Sequence, residues 1–206
     1  MTGFYSYAEL LKQGDFGLGA TDRNGGELLL LDGAVYRSRV NGKTDRPGPH
    51  EKTPFATVTF FRPTKSFTSE SINMADFAKR FDLEYPPKNR MYAIRIEGAF
   101  TLVEVGSGAE QVKPYRPLAD VFKEYVISRK ENATGDLVGF RCPSILKGID
   151  YVGFHFHFVD KAKAWGGHVF DFRIDQTEVA VQELDSYAVA MPRSNDVLDL
   201  DLDSFR

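Results

Sequence analysis

Between residues 151 and 159 the chain alternates phenylalanine with histidine, as Phe154-His155-Phe156-His157-Phe158. A repeat of two is the period of a β-strand, whose successive side chains leave opposite faces. The three phenylalanines then enter a core that holds the strand still. His155 and His157 share the other face. Trp165-Gly166-Gly167 reads as a turn, and 168–173 as the strand that pairs back. His168 then arrives beside the first two histidines. A chain built around such a strand needs at least one more layer to cover the phenylalanine face.

The rest of the sequence supplies more strands than helices. Residues 16–21, 27–31 and 34–40 read as an antiparallel meander, with turn signals at Asp22-Arg23-Asn24-Gly25-Gly26 and Asp32-Gly33. Residues 55–61, 135–141 and 179–183 read as further strands, and 91–105 as a strand broken at Gly98. Helices are expected over 7–13, over 73–81, where Met74, Phe77, Ala78 and Phe81 recur at helical spacing, and over 117–125. Residues 41–52 are polar, carry Pro47 and Pro49, and read as a mobile loop. The acidic tail, 194–206, has no clear period. The predicted fold class is α/β in the α+β sense: mixed, largely antiparallel sheets with a few short helices in two closely packed subdomains. The boundary between them is expected near 106–117.

Charge and cysteine content narrow the function classes. With 26 Lys and Arg against 29 Asp and Glu, the net charge is −3. No basic field exists for a phosphate backbone, so no nucleic-acid partner is expected. No apolar run approaches a membrane span, so no membrane partner is expected. The N-terminus lacks a basic region followed by an apolar stretch, so no signal peptide is expected. Cys142 is the only cysteine, which excludes an intrachain disulfide and a multi-thiolate metal site and fits a reducing compartment, the cytoplasm.

Two imidazoles on one strand and a third on its neighbour make a three-nitrogen face. Zinc favours such a face with a position left open for water or substrate, and iron, cobalt, nickel or manganese would also accept it. An open three-histidine face serves hydrolysis, hydration or carbonyl polarisation. The chain has no His-Glu-x-x-His helix, so a zinc peptidase of that kind is disfavoured. A cupin usually carries a Glu a few residues after its His-x-His, and Val159-Asp160-Lys161-Ala162 offers none. His50 lies in the polar loop and reads as a solvated residue.

Arg95 and Glu97 are two apart on a predicted strand and share a face. They form either a structural ion pair, the commoner case, or a guanidinium poised to clamp a carboxylate. Glu27, at the start of an apolar strand, is either an edge carboxylate or a group drawn into a cleft, where burial raises its pKa and makes it a proton donor. Gly14-Asp15-Phe16-Gly17-Leu18-Gly19 matches no phosphate-binding fingerprint and reads as a strand with tight backbone contacts.

Together these pieces resemble the α-acetolactate decarboxylase family. The resemblance is carried by Gly14–Gly19, by Gly26-Glu27-Leu28 with Asp32-Gly33 and Tyr36-Arg37, and by Tyr92-Ala93-Ile94-Arg95-Ile96-Glu97-Gly98. Gly153-Phe154-His155-Phe156-His157-Phe158 and Gly166-Gly167-His168-Val169-Phe170-Asp171 complete it. It runs from about Gly14 to Pro192 and implies that 1–206 is one catalytic unit. It implies a zinc enzyme, a carboxy-lyase acting on a small 2-hydroxy-3-oxo acid, that converts 2-acetolactate to acetoin and carbon dioxide. The expected route has the metal chelating the hydroxy-ketone and stabilising an enediolate. The resemblance also implies a homodimer, zinc on His155, His157 and His168, and a substrate site lined by Arg95 and Glu27. The family usually adds an active-site Glu from a C-terminal tail, expected beyond Arg206, with Asp199, Asp201 and Asp203 the nearest acids. Ala20 stands where some members have Thr. The alternatives are a zinc lyase for a related 2-hydroxy-3-oxo acid, or a non-catalytic metal- or small-molecule-binding module on the same scaffold.

Overall fold

The leucines at 28–31 are all buried, so the strand they form must be covered on both faces, and the layering of the molecule follows from that. The computed structural model describes residues 2–192; Asp199, Asp201 and Asp203 lie outside them. The elements in chain order are β1 (Tyr5–Ser6), α1 (Tyr7–Leu10), β2 (Phe16–Ala20), β3 (Glu27–Leu31), β4 (Ala34–Ser38), β5 (Thr44–Asp45), β6 (Lys52–Thr53) and β7 (Phe55–Thr59). There follow β8 (Lys65–Thr68), β9 (Ile72–Asn73), α2 (Met74–Glu84), β10 (Met91–Ser107), α3 (Leu118–Phe122), β11 (Val126–Cys142), β12 (Gly153–Asp160), β13 (Gly166–Ile174) and β14 (Glu178–Leu184).

The strands form a five-stranded sheet, β5-β4-β3-β2-β7, and a seven-stranded sheet, β8-β14-β10-β11-β12-β13-β9. Every pairing of named strands is antiparallel. The largely antiparallel architecture expected from the sequence is therefore present. On the outer face of the small sheet Leu28, Leu30 and Val35 pack against Tyr7 and Leu10. On its inner face Phe16, Leu18, Leu29 and Leu31 meet Met91, Ala93, Val138, Phe140 and Val159 of the large sheet. The far face of the large sheet carries Phe156, Phe158 and Phe172 against Phe77 and Phe81 of α2. The phenylalanine face of β12 thus lies in the core, and its histidine face looks toward the small sheet.

The long hairpin β10–β11 organises the large sheet. Its ladder runs from Tyr92 opposite Arg141 to Ser107 opposite Val126. Midway, Gly98 faces Gly135, and Gly98 has φ +144°, a backbone conformation that favours glycine. Before this point the free edge of β10 pairs with β14, and beyond it with β13. Strands β10 to β13 therefore close on themselves, which brings Gly106 opposite His168 and His168 opposite His157.

The reversal before His168 differs from the expected one. Residues 161–164 make the turn, with Asp160 Oδ1 accepting from the N–H of Ala164 at 2.8 Å and of Trp165 at 3.0 Å. Gly166 and Gly167 are strand residues opposite Val159 and Phe158. Gly166 admits no side chain, because a Cβ there would lie 2.1 Å from the Phe158 carbonyl oxygen. Residues 41–52, expected to be loop, contribute β5 and the first residue of β6, and Asp45 and Glu51 both bind the Arg37 guanidinium. Among the described residues no helix is long and apolar enough to cross a membrane.

Candidate metal centre

The closed strands bring three imidazoles to one place. His155 and His157 leave the same face of β12, and His168 enters from β13, where it is paired with His157. His155 Nε2 lies 3.2 Å from His157 Nε2 and 3.2 Å from His168 Nδ1. One nitrogen from each ring falls within 4.8 Å of the other two. A tetrahedral ion about 2.0–2.1 Å from each nitrogen needs neighbouring nitrogens about 3.3 Å apart. The donor set present therefore fits a metal ion.

The electrostatics agree with that fit. His157 is 1% exposed, and its Nδ1 lies 2.8 Å from the Leu28 carbonyl oxygen. A carbonyl oxygen only accepts, so Nδ1 carries the proton and Nε2 presents its lone pair to the cluster. Burial holds His155 down to about 3 and His168 to about 4, and holds His157 well below the ordinary histidine range. Neutral imidazole is the form that binds a metal.

Glu27 places a buried carboxyl group beside the cluster. It opens β3, one residue before the Leu28 carbonyl that orients His157, and its Oε2 is 3.4 Å from His157 Nε2. It is 5% exposed. Burial pushes its pKa up to about 8, against the opposing pull of Tyr125, Ser107 and the Gly108 backbone. Its Oε1 is buried without a hydrogen-bond partner. Glu27 and the three histidines are thus brought together from strands of both sheets.

Arg95 is not brought to them. In the ladder it lies opposite Val138, which lies opposite His157, so Arg95 and His157 share a face two strands apart. The guanidinium turns away, to Asp136 at 2.7 Å, Glu97 at 2.8 Å and Asp32 at 3.1 Å. Lys163 completes this network on Asp136. It borders a separate opening lined in part by Asp15, Phe61, Arg62 and Glu178. Here the ion-pair reading of Arg95 and Glu97 describes the geometry.

The surroundings of the histidines include groups with no signal in the sequence. Tyr151 packs 4.9 Å from the His155 ring, and Phe170 and Phe122 lie 5.1 and 5.7 Å from His168. Tyr125 meets His168 edge-on at 6.4 Å. Phe122 and Tyr125 come from the segment around α3, which follows the expected subdomain boundary and carries no motif. Only the non-local pairing of Gly106 with His168 sets them over the site.

Known proteins resemble this chain over nearly its whole length. The sequence profile described as Alpha-acetolactate decarboxylase matches residues 1–204. The chain belongs to the alpha-acetolactate decarboxylase family. The decarboxylase of Methanosarcina mazei is 35% identical over 97% of this chain and 70% of its own length. That of Bacillus subtilis strain 168 is 33% identical, over 98% and 80%. The crystal structure of the Bacillus subtilis alpha-acetolactate decarboxylase superposes with a TM-score of 0.94 at 33% identity, covering 98% of this chain and 87% of the other. A Staphylococcus aureus protein of unknown function, described as similar to alpha-acetolactate decarboxylase, superposes at 0.86 with 30% identity, covering 89% and 79%. Membership of this decarboxylase family makes the chain an enzyme of the carboxy-lyase class.

Proposed function

We propose that this chain decarboxylates 2-acetolactate to acetoin and carbon dioxide with a zinc ion held by His155, His157 and His168. The observation that carries the reading is the cluster itself: three neutral imidazoles, one fixed by the Leu28 carbonyl, with ligand spacing suited to one tetrahedral ion. A zinc ion there would supply a Lewis acid for the ketone and hydroxyl oxygens of a 2-hydroxy-3-oxo acid.

The protein's own groups account for the remaining needs. Loss of carbon dioxide leaves an electron pair on substrate, and a proton must then be added to the carbon that carried the carboxylate. Glu27, buried beside His157, is the group assigned to deliver it. The rings of Tyr151, Phe122 and Phe170 wall the histidines and limit water at the reacting carbon. Arg95 is assigned to joining the two sheets through Asp32 and Asp136. That assignment favours a second reading, a lyase for a related 2-hydroxy-3-oxo acid, because the cation implied for the acetolactate carboxylate is engaged elsewhere. A homodimer rests on the family resemblance, and a cytoplasmic setting on the lone Cys142. One catalytic unit over 1–206, with a subdomain boundary near 106–117, belongs to the same reading.

The test is acetoin formation from racemic acetolactate by zinc-loaded protein against a metal-stripped control. Zinc-dependent acetoin supports the reading. A folded, zinc-occupied protein that forms none overturns it, and turnover of another 2-hydroxy-3-oxo acid in a small panel would then select the second.

A further inference from the structure

We propose that Tyr151 is a specificity-determining residue of the histidine site, and that Asp150 and Tyr187 are positioning residues for its ring. The inference rests on the reading above, in which a 2-hydroxy-3-oxo acid is bound at the three histidines. Tyr151 lies four residues before His155, and its ring centroid is 4.9 Å from that imidazole. Residues four apart in an extended strand are separated by about 13 Å, so the chain folds back between them. It does so at Gly153, where β12 begins and φ is +96°. A Cβ on Gly153 would meet no atom within 4 Å. Glycine therefore serves there for its backbone conformation, not for lack of space.

The rings on the two sides of the cluster differ in kind. Phe122 and Phe170 sit against His168 and both pack on the buried Tyr125, at 4.7 and 6.3 Å. They form a wall backed by core. Tyr151 stands on the His155 side and is 49% exposed, so its ring lies between the cluster and solvent. Three hydrogen bonds fix where it stands, and all end on the Asp150 carboxylate. Oδ1 accepts from the Tyr151 N–H at 2.7 Å, and Oδ2 accepts from the Thr57 hydroxyl at 2.8 Å and the Tyr187 hydroxyl at 3.0 Å. Thr57 is buried on β7 of the small sheet, and Tyr187 follows the end of β14. The Asp150 N–H also donates to the Leu146 carbonyl at 3.1 Å. The small sheet and the segment after β14 thus together set the point from which Tyr151 reaches His155.

This placement bears on which substrate fits. A 2-hydroxy-3-oxo acid carries a carboxylate and an alkyl group on its C2. An apolar ring gives a carboxylate no compensation for lost water, whereas it packs on an alkyl group. The C2 alkyl group therefore faces Tyr151, and the fixed ring limits its size.

The experiment compares zinc-loaded wild type, Tyr151→Ala, Tyr151→Phe and Tyr187→Phe. Carbon dioxide release is followed from 2-acetolactate and from its homologue with ethyl in place of the C2 methyl group. Zinc content and the rate of zinc loss to a chelator are measured beside it. Tyr151→Ala is expected to keep zinc and to shift the ratio of kcat/KM toward the ethyl acid about tenfold, mostly through KM. Tyr151→Phe restores the ring and is expected to restore the ratio. Tyr187→Phe removes one of the three hydrogen bonds, and it is expected to shift the ratio the same way by about threefold. Both Tyr151→Ala and Tyr187→Phe are expected to lose zinc faster than wild type. Should Tyr151→Ala fail to fold, Tyr187→Phe, whose ring is kept, decides the matter. An unchanged ratio in either variant overturns the inference, as does an equal loss of rate on both acids. A wild type that releases carbon dioxide from neither acid overturns the underlying reading instead. Wild-type rates of zinc loss in both variants would then overturn the placement of Tyr151 as well.

Discussion

At the scale of single residues the site depends on what each histidine does with its second nitrogen. His157 gives Nδ1–H to Leu28, which leaves one lone pair aimed at the cluster. His157→Ala removes a ligand and orphans a buried carbonyl, so zinc and activity should be lost together. Metal analysis of the purified variant checks this, and full zinc content would remove His157 from the ligand set. Glu27→Gln keeps the shape and loses the transferable proton. It should retain zinc and slow turnover by about 10²-fold, read from acetoin formation under saturating substrate. The sequence pointed to the three histidines because period two and a neighbouring strand suffice to gather them. It named Arg95 and Glu27 alike as candidates. Both lie on inward faces, and only the crossing of β3 over the large sheet puts Glu27 at the histidines and Asp32 at Arg95.

At the scale of elements, local signals worked where the element makes its own case. The helix expected over 73–81 is α2, Met74–Glu84, started by the Asn73 side chain accepting from Asp76 N–H at 2.9 Å. Strand β11 was legible only from Gly135 onward. Its first half carries exposed, charged Arg129, Lys130 and Glu131, and it is a strand because β10 pairs with it, not because of its own pattern. The turn before β13 was misplaced for a related reason. Glycine signals conformational freedom, but Gly166 is there for lack of space. Gly166→Ala would drive a Cβ into the Phe158 carbonyl and shift β13 against β12. It should lower Tm and weaken zinc affinity together, measured by thermal melts with and without added zinc. Unchanged zinc affinity would mean that His168 does not depend on this register.

At the scale of the whole molecule the two sheets are joined by an apolar layer and by charge. Arg95 spans them, from Asp136 on the large sheet to Asp32 at the end of β3. Arg95→Met leaves the nearly buried Asp136 with Lys163 alone. Asp136 keeps one cation, so a moderate drop in the urea midpoint is expected with zinc content unchanged. If Arg95→Lys abolished turnover at unchanged midpoint, Arg95 would belong to the chemistry. A pH dependence belongs at this scale too. Hydrogen bonds from Arg37, and next from Arg39, hold Asp45 below the usual carboxylate range against the effect of burial. Its folded-state pKa is thus below the unfolded value. The stability it contributes is present above about pH 4 and is lost as the pH falls through the folded-state pKa. Urea midpoints from pH 6 to pH 2 should fall less steeply in Asp45→Asn than in wild type.

The sequence alone determined the faces: phenylalanine to one side of β12 and histidine to the other, Leu29 and Leu31 opposite Leu28 and Leu30, one apolar stripe on α2. These follow from periodicity, which local backbone geometry enforces. The tertiary structure decided which faces meet. Closure of β10 against β13, the crossing of β3 over β12 and the docking of the α3 segment put Glu27, Leu28 and Tyr125 beside the histidines and turn Arg95 aside. The contact of Leu28 with His157 alone joins residues 129 positions apart. Such contacts are set by the burial of whole sheet faces, which no short stretch of sequence encodes.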